Sequence, residues 1–277
     1  MSRDRLRALI FAAMGAASGL WAATADAQTA LVDDPCAGVV SGRIPDAALR
    51  ASMAPGAKFV PPPPEAAAES ARRAAEQRAR DWPNLCRYSK DNAALKQAPR
   101  VVFMGDSITE GWAVADPEMF AGEFADRGIS GQTSPQMLLR FRADVVALKP
   151  RIVHIMAGTN DLAGNTGPTS DAAFKGAIES MTEIAKANGV QVALASIPPA
   201  GAFPWAAQYK PAPEIRRLNS WLRDYARRKG LIYVNYHDAL TTTDGAFRPE
   251  LSNDGVHPNL AGYAVMKTIA LQALGRP

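Results

Sequence analysis

The chain has 277 residues, 47% of them apolar and 21% charged, a composition that supports a substantial core and excludes disorder along its whole length. Lys and Arg number 31 against 27 Asp and Glu, and a formal net charge of +4 is too small an excess to imply a nucleic-acid partner. Two cysteines and three histidines exclude a four-thiolate zinc site and a dense disulfide framework, and leave little for a histidine-built metal centre.

Residues 1–27 read as a targeting segment. Arg3, Arg5 and Arg7 make a positive start, Leu9 to Ala23 an apolar run, and Ala25-Asp26-Ala27 a small-residue cleavage pattern. This predicts a signal peptide cut after Ala27, with the protein exported to the periplasm or the medium. The alternative, a membrane anchor, needs a run of about 20 residues, and this one has about 15, so no stable membrane insertion is expected. Export implies an oxidising compartment, in which Cys36 and Cys86 are expected to pair rather than remain as two thiols. The bridge would close a loop of about 50 residues, with a chain-entropy contribution of roughly 4 kcal/mol.

Residues 28–99 read as an N-terminal extension. The stretch 28–62 is rich in Pro, Gly and Ala, and Pro61 to Pro64 is a rigid extended piece. Short helices are expected over Ile44 to Met53 and Asn92 to Leu95. A longer one is expected over Glu65 to Arg80, with Pro64 at its first turn. Its apolar face is mostly alanine and suits close packing only; Trp82 and Leu85 are the better anchors.

From Arg100 the pattern changes. Val101-Val102-Phe103-Met104 is a continuous apolar run stopped by Gly105, the mark of a strand buried on both faces. Similar runs recur at Arg151 to Ala157, Val190 to Ile197 and Leu231 to Asn235, and Gly128-Ile129-Ser130 is a candidate short fifth strand. Between them lie helical patterns: Ser134 to Leu148, Asp171 to Ala187 ending at Asn188-Gly189, Pro213 to Lys229 ending at Gly230, and Asn259 to Leu274. Strands alternating with helices of this length predict an α/β sandwich around a parallel sheet, for which 2-1-3-4-5 is a plausible order.

In such a sheet, ligands bind beyond the C-terminal ends of the strands. Ser107 stands there, two residues after Gly105, either as a nucleophile or as a helix cap. A serine nucleophile needs a base. His154 lies inside a strand and reads as structural; His237 follows the fifth strand. His257 sits three residues after Asp254 in a turn that opens a helix, close enough for the carboxylate to fix its tautomer. Attack on an ester carbonyl also needs preset donors for the oxyanion, and the Ser107 N–H, the Gly131 N–H and Asn160 Nδ2 are the candidates. A metal reading of Asp106, Asp161 and Asp254 lacks a histidine cluster, and no metal is expected.

Gly105-Asp106-Ser107-Ile108, Gly131, Gly158-Thr159-Asn160-Asp161 and Asp254-Gly255-Val256-His257, in this order, resemble the four blocks of the SGNH hydrolase superfamily, the GDSL esterases and lipases. The resemblance covers about residues 100–275 and is closest to bacterial exported esterases of the acetylhydrolase and carbohydrate-esterase type. It implies a three-layer α/β/α sandwich with a five-stranded parallel sheet, flavodoxin-like in order, as a catalytic domain over 100–277. It also implies Ser107 as nucleophile, His257 as base and Asp254 as its orienting carboxylate. Ser107, Gly131 and Asn160 become the oxyanion hole, and no cofactor is required.

The expected reaction is hydrolysis of short acyl esters, acetyl esters of carbohydrate first, on a small molecule or oligosaccharide. Lysophospholipase, arylesterase and thioesterase activities are the alternatives within the superfamily; a non-catalytic binding module on the same fold is the alternative of another class. Pocket candidates are Trp112, Met137, Phe203, Trp205 and Tyr209. Asn165-Thr166-Gly167-Pro168 reads as a turn shaping the rim. Arg140 and Arg142 read as a solvated helix face, or as a partner for a substrate carboxylate.

Overall fold

A computed structural model describes residues 33–37, 46–58 and 63–275. The expected signal peptide, 1–27, lies outside the described residues. The chain divides into two compact units, Met1–Gly38 and Val39–Pro277. In the first, the described residues form a turn in which the Cys36 N–H donates to Asp34 Oδ1 at 2.9 Å. Cys36 and Cys86 are both disulfide-bonded and no free cysteine remains.

The second unit is built on five parallel strands: β1 Val101–Gly105, β2 Phe124–Gly128, β3 Ile152–Ile155, β4 Gln191–Ala195 and β5 Ile232–Val234. Their order is β2-β1-β3-β4-β5, as expected. Side chains alternate across the sheet. Val102, Met104, Val153, Ile155, Val192 and Leu194 enter one core, while Val101, Phe103, Ala193, Ala195 and Val234 enter the other. Helices Ser134–Asp144, Asp171–Ala187 and Ala212–Lys229 cover the first face through Met137, Phe141, Ile178, Met181, Ile215 and Leu222. Helices Ser107–Ala115 and Leu260–Leu274 cover the second through Ile108, Trp112, Tyr263 and Met266. The result is a three-layer α/β/α sandwich.

The helix ends follow from local chemistry. Thr133 and Gln136 form a capping box, Ser170 accepts from the Ala173 N–H, and Asn259 accepts from the Gly262 N–H. Gly230, at φ +64°, closes Ala212–Lys229 in the left-handed conformation glycine favours. The helix expected over Ser134 to Leu148 stops at Asp144, and Val146–Leu148 continues as a single 3₁₀ turn.

Two expectations fail for a shared reason. The candidate fifth strand Gly128-Ile129-Ser130 is not one: β2 runs Phe124–Gly128 and ends where that candidate begins. It is an edge strand carrying Asp126 and Arg127, so no apolar run marks it. Those charges are met by the extension: Arg127 Nε donates to Asn92 Oδ1 at 2.7 Å, and its guanidinium lies 4.8 Å from the Tyr88 ring centre. The Tyr88 hydroxyl donates to the Gly128 carbonyl. Accordingly the anchors of the extension are Tyr88, which is buried, and Arg87, whose guanidinium pairs with Glu110 at 2.9 Å, while the side chains of Trp82 and Leu85 stay exposed. Their neighbourhood is tied down by backbone instead, Gln136 Nε2 donating to the Trp82 carbonyl and Gln132 Nε2 to the Pro83 carbonyl.

The rest of the extension is helical at Asp46–Ser52, Pro64–Arg80 and Ser89–Ala94. No residue of Pro64–Arg80 is buried, so its alanine face is not enclosed by the described residues. Asp46–Ser52 instead leads into buried Met53, and Arg50 Nη1 donates to the carbonyls of Val114 and Ala115, both at 2.7 Å. It thereby closes the C-terminal end of the helix that Ser107 begins.

Candidate active site

Gly105 ends β1, and a Cβ there would collide with Thr109. The chain must turn at once into the helix Ser107–Ala115. Asp106, not Ser107, is the cap: its carboxylate accepts from the Ile108 N–H at 3.0 Å. The Ser107 hydroxyl is left free of capping, and its Oγ lies 2.9 Å from His257 Nε2.

His257 and Asp254 come from the loop before the last helix. Asp254 Oδ2 accepts from His257 Nδ1 at 2.7 Å, and Oδ1 accepts the N–H groups of Val256 at 2.9 Å and His257 at 2.8 Å. Ser252 Oγ accepts from the Gly255 N–H and donates to the His257 carbonyl, closing the turn. Burial pushes the Asp254 carboxyl up, but the hydrogen bond and charge of His257, with the two backbone donors, outweigh it. The group ends well below the usual carboxylate range. For His257, desolvation pushes the imidazole down, and the bond to Asp254 with the charges of Asp254 and Asp106 outweighs it, leaving it raised. An ionised Asp254 fixes the Nδ1–H tautomer, so Nε2 faces Ser107 as an acceptor. The line Ser107–His257–Asp254 can therefore take a proton from the serine hydroxyl and hold the imidazolium that forms.

The two other expected groups are Gly131 and Asn160. Gly131 has φ +78°, and a Cβ there would find only Asn165 Nδ2, at 3.8 Å, so its conformation rather than crowding requires glycine. Asn160 is buried in the short helix Thr159–Ala163, its Nδ2 donating to the Gln132 carbonyl at 3.0 Å and to Asp106 Oδ2 at 3.2 Å. Burial raises the Asp106 carboxyl to about 6, against the backbone bond from Ile108. Asp161 is structural: its carboxylate accepts the Ser134 hydroxyl at 2.6 Å and the Ser134 N–H, pinning Thr159–Ala163 to the neighbouring helix. Among the described residues, no group of three or more His, Cys, Asp or Glu is placed to hold a metal ion.

The expected pocket needs correction. Trp112, Met137 and Phe203 have zero exposure and belong to the two cores, so none offers surface to a ligand. Trp112 packs edge-on to Phe103, Phe120 and Tyr236. Only Trp205 and Tyr209 are exposed, and Trp205, 47% exposed, has its ring centre 5.9 Å from that of His257. Phe203 serves as the floor beneath it, stacked at 5.5 Å. The helix face expected to be solvated is half wrong: Arg142 is exposed, but Arg140 is fully buried. It donates to Gln132 Oε1, to the Gly105 carbonyl and to Asp144, joining β1 to the Gly131 loop.

The other histidines stand apart. His154 is buried against the Tyr236 hydroxyl, and burial lowers it to about 3, so it stays neutral. His237 faces Asp238 at 3.3 Å. A surface cavity of about 760 Å³ opens at the far ends of the strands, between Arg100, Phe124 and Lys149, and no residue of the Ser107 line borders it.

A parallel sandwich with a Ser–His–Asp line above its strand ends is the architecture of an ester-cleaving hydrolase. Residues 103–265 match the GDSL-like lipase/acylhydrolase family. Among solved structures, a GDSL-like lipase from Bacteroides thetaiotaomicron is 45% identical over 70% of this chain and 98% of that one, with a TM-score of 0.68. A Bacteroides fragilis chain assigned as an acylhydrolase is 44% identical over 70% of this chain and 97% of its own, also at 0.68. An acetylxylan esterase from Geobacillus stearothermophilus, 18% identical over 65% of this chain and 96% of that one with a TM-score of 0.52, shares the fold. Among curated proteins none matches. The chain belongs to the GDSL-like lipase/acylhydrolase family of the SGNH hydrolase superfamily, and is a carboxylic ester hydrolase.

Among the described residues, no helix is long and apolar enough to cross a membrane.

Proposed function

We propose that the protein is a serine esterase that removes short acyl groups through an acyl-enzyme. The unbroken Ser107–His257–Asp254 line, at 2.9 and 2.7 Å, carries this reading. His257 Nε2 takes the Ser107 proton as Oγ attacks the ester carbonyl. The imidazolium then donates that proton to the departing alcohol, and water attacks the acyl-enzyme by the same route in reverse.

The oxyanion formed in each step faces the N–H groups of Ser107 and Gly131 and the Asn160 amide. In the free protein both Asn160 Nδ2 hydrogens are engaged. The incoming oxyanion displaces the longer of the two bonds, the one to Asp106, as the better acceptor. Loss of one such donor costs about 3–4 kcal/mol of transition-state stabilisation in comparable hydrolases.

Acetyl groups on carbohydrate are the proposed substrates. The support is Trp205, a rigid exposed indole beside the base, able to lie against a sugar face. Export to an oxidising compartment is supported by the disulfide-bonded state of Cys36 and Cys86. The proposed catalytic domain is residues 100–277, within which the family match falls.

A rate series over p-nitrophenyl acetate, butyrate and octanoate tests the acyl preference. A steep fall beyond acetate is expected. Rates rising towards octanoate would replace acetylated carbohydrate with a lipid or thioester substrate.

A further inference from the structure

We infer that Asn165, held by Trp205, is a positioning residue that fixes which way round the Asn160 side-chain amide sits. The inference rests on the reading of Asn160 as an oxyanion donor. An Asn amide has nearly the same shape in both orientations, and only its partners decide between them. Here the decision starts at an atom that has no choice. The Trp205 indole Nε1–H can only donate, and it lies 3.1 Å from the Asn165 amide. The Asn165 atom it meets must therefore be Oδ1.

Asn165 Nδ2 then faces inward, 2.7 Å from Asn160. A donor there requires an acceptor, so the facing atom is Asn160 Oδ1. Asn160 Nδ2 is turned to the other side, where Asp106 Oδ2 and the Gln132 carbonyl, itself only an acceptor, take its hydrogens, so Asn165 and Gln132 hold the amide from opposite ends. The second Asn165 hydrogen reaches the Gly131 carbonyl at 3.3 Å. One side chain thus touches both the Asn160 amide and the peptide of Gly131. Trp205 is itself held flat on buried Phe203 and lies beside the His257 ring.

Asn165 is exposed, and its backbone N–H donates separately to the Asn160 carbonyl at 3.1 Å. The turn therefore survives a change of side chain. The side-chain bonds of Asn165 go to Asn160, Gly131 and Trp205 alone, so its substitution should register in rate rather than in folding.

The test uses the full chain, with p-nitrophenyl acetate and matched melting curves. Asn165→Ala removes the anchor, and kcat should fall about 10-fold with KM changed less than about 3-fold. Asn165→Asp keeps the acceptor for Trp205 but sets a carboxylate oxygen against Asn160 Oδ1. That repels the Asn160 amide from its place while Gln132 and Asp106 oppose its flip, and kcat should fall about 100-fold, the scale of a displacement near 1 Å. Trp205→Phe keeps the ring on Phe203 and loses the donor; it should follow Asn165→Ala in direction.

The deciding arm places each Asn165 change in an Asn160→Ala background. Little further loss there is expected, because the effect runs through Asn160. Losses that multiply instead, or Asn165 variants at full rate beside a slow Asn160→Ala protein, overturn the inference and leave the oxyanion reading standing. Asn160→Ala at full rate would remove the oxyanion reading itself, and this inference with it.

Discussion

Asn253 Nδ2 donates to the Ala54 carbonyl at 2.8 Å across 199 positions of sequence, from the residue immediately before Asp254. The same amide reaches the Ser52 carbonyl at 2.9 Å, and its oxygen accepts from the Gly56 N–H at 3.1 Å. The extension is thus part of the frame that holds the loop of Asp254 and His257. Leu260, at the start of the next helix, adds a backbone bond to the Met53 carbonyl at 2.9 Å.

Asn253→Asp should lose both donors while keeping the acceptor for Gly56. The expected cost is about 1–2 kcal/mol in unfolding free energy, with a lower kcat because Asp254 and His257 follow. Urea midpoints and steady-state kinetics check it. A variant slower than wild type with an unchanged midpoint would show that the clamp aims the loop without stabilising it.

The rate should depend on pH through His257. Burial pushes its imidazole down and Asp254 with Asp106 more than restores it, so the net shift is upward. The base must be neutral. The acidic limb of kcat/KM should therefore lie above the ordinary imidazole value of about 6.5. Activity is full above that limb and lost as pH falls through it. Asp254→Asn removes the principal raising influence, so the limb should move to lower pH and the plateau should drop. A limb that stays in place would assign the titration to another group.

Arg140 predicts a fold effect larger than a site effect. Its guanidinium and the Asp144 carboxylate are both fully buried, 3.0 Å apart. Arg140→Met leaves that carboxylate without its cation, at an expected cost of about 3–5 kcal/mol. Arg140→Met with Asp144→Leu should recover part of the loss, since the buried carboxylate goes with its cation while Gln132 Oε1 and the Gly105 carbonyl still lose their donor. Chemical denaturation of the four proteins closes the cycle.

Much of this was legible in the sequence where one physical signal acted alone. Asp171–Ala187 has the bounds its sequence implies, because Asn188-Gly189 stops the helical pattern there. β1 was legible because burial on both faces demands a continuous apolar run. β2 was not, because an edge strand can carry Asp126 and Arg127 when another segment supplies their partners. Ser107, Asp254 and His257 were legible as residue types beside turn signals, and the structure brings them to hydrogen-bonding distance.

Aromatic identity, by contrast, says nothing about direction. Trp112 points into the core because its helix turns that face to the sheet, and Phe203 lies under Trp205 rather than beside it. Asn165 read only as a turn residue. Nothing local marks an amide whose partners lie 5, 34 and 40 positions away.

The central claim is that Ser107 is activated by His257, and covalent capture tests it most directly. The protein is treated with a fluorophosphonate, digested, and mapped by mass spectrometry, with His257→Ala alongside. The account predicts one adduct per chain, on Ser107, formed far more slowly in the variant. A folded protein that takes no label at Ser107, or labels equally fast without His257, would contradict it.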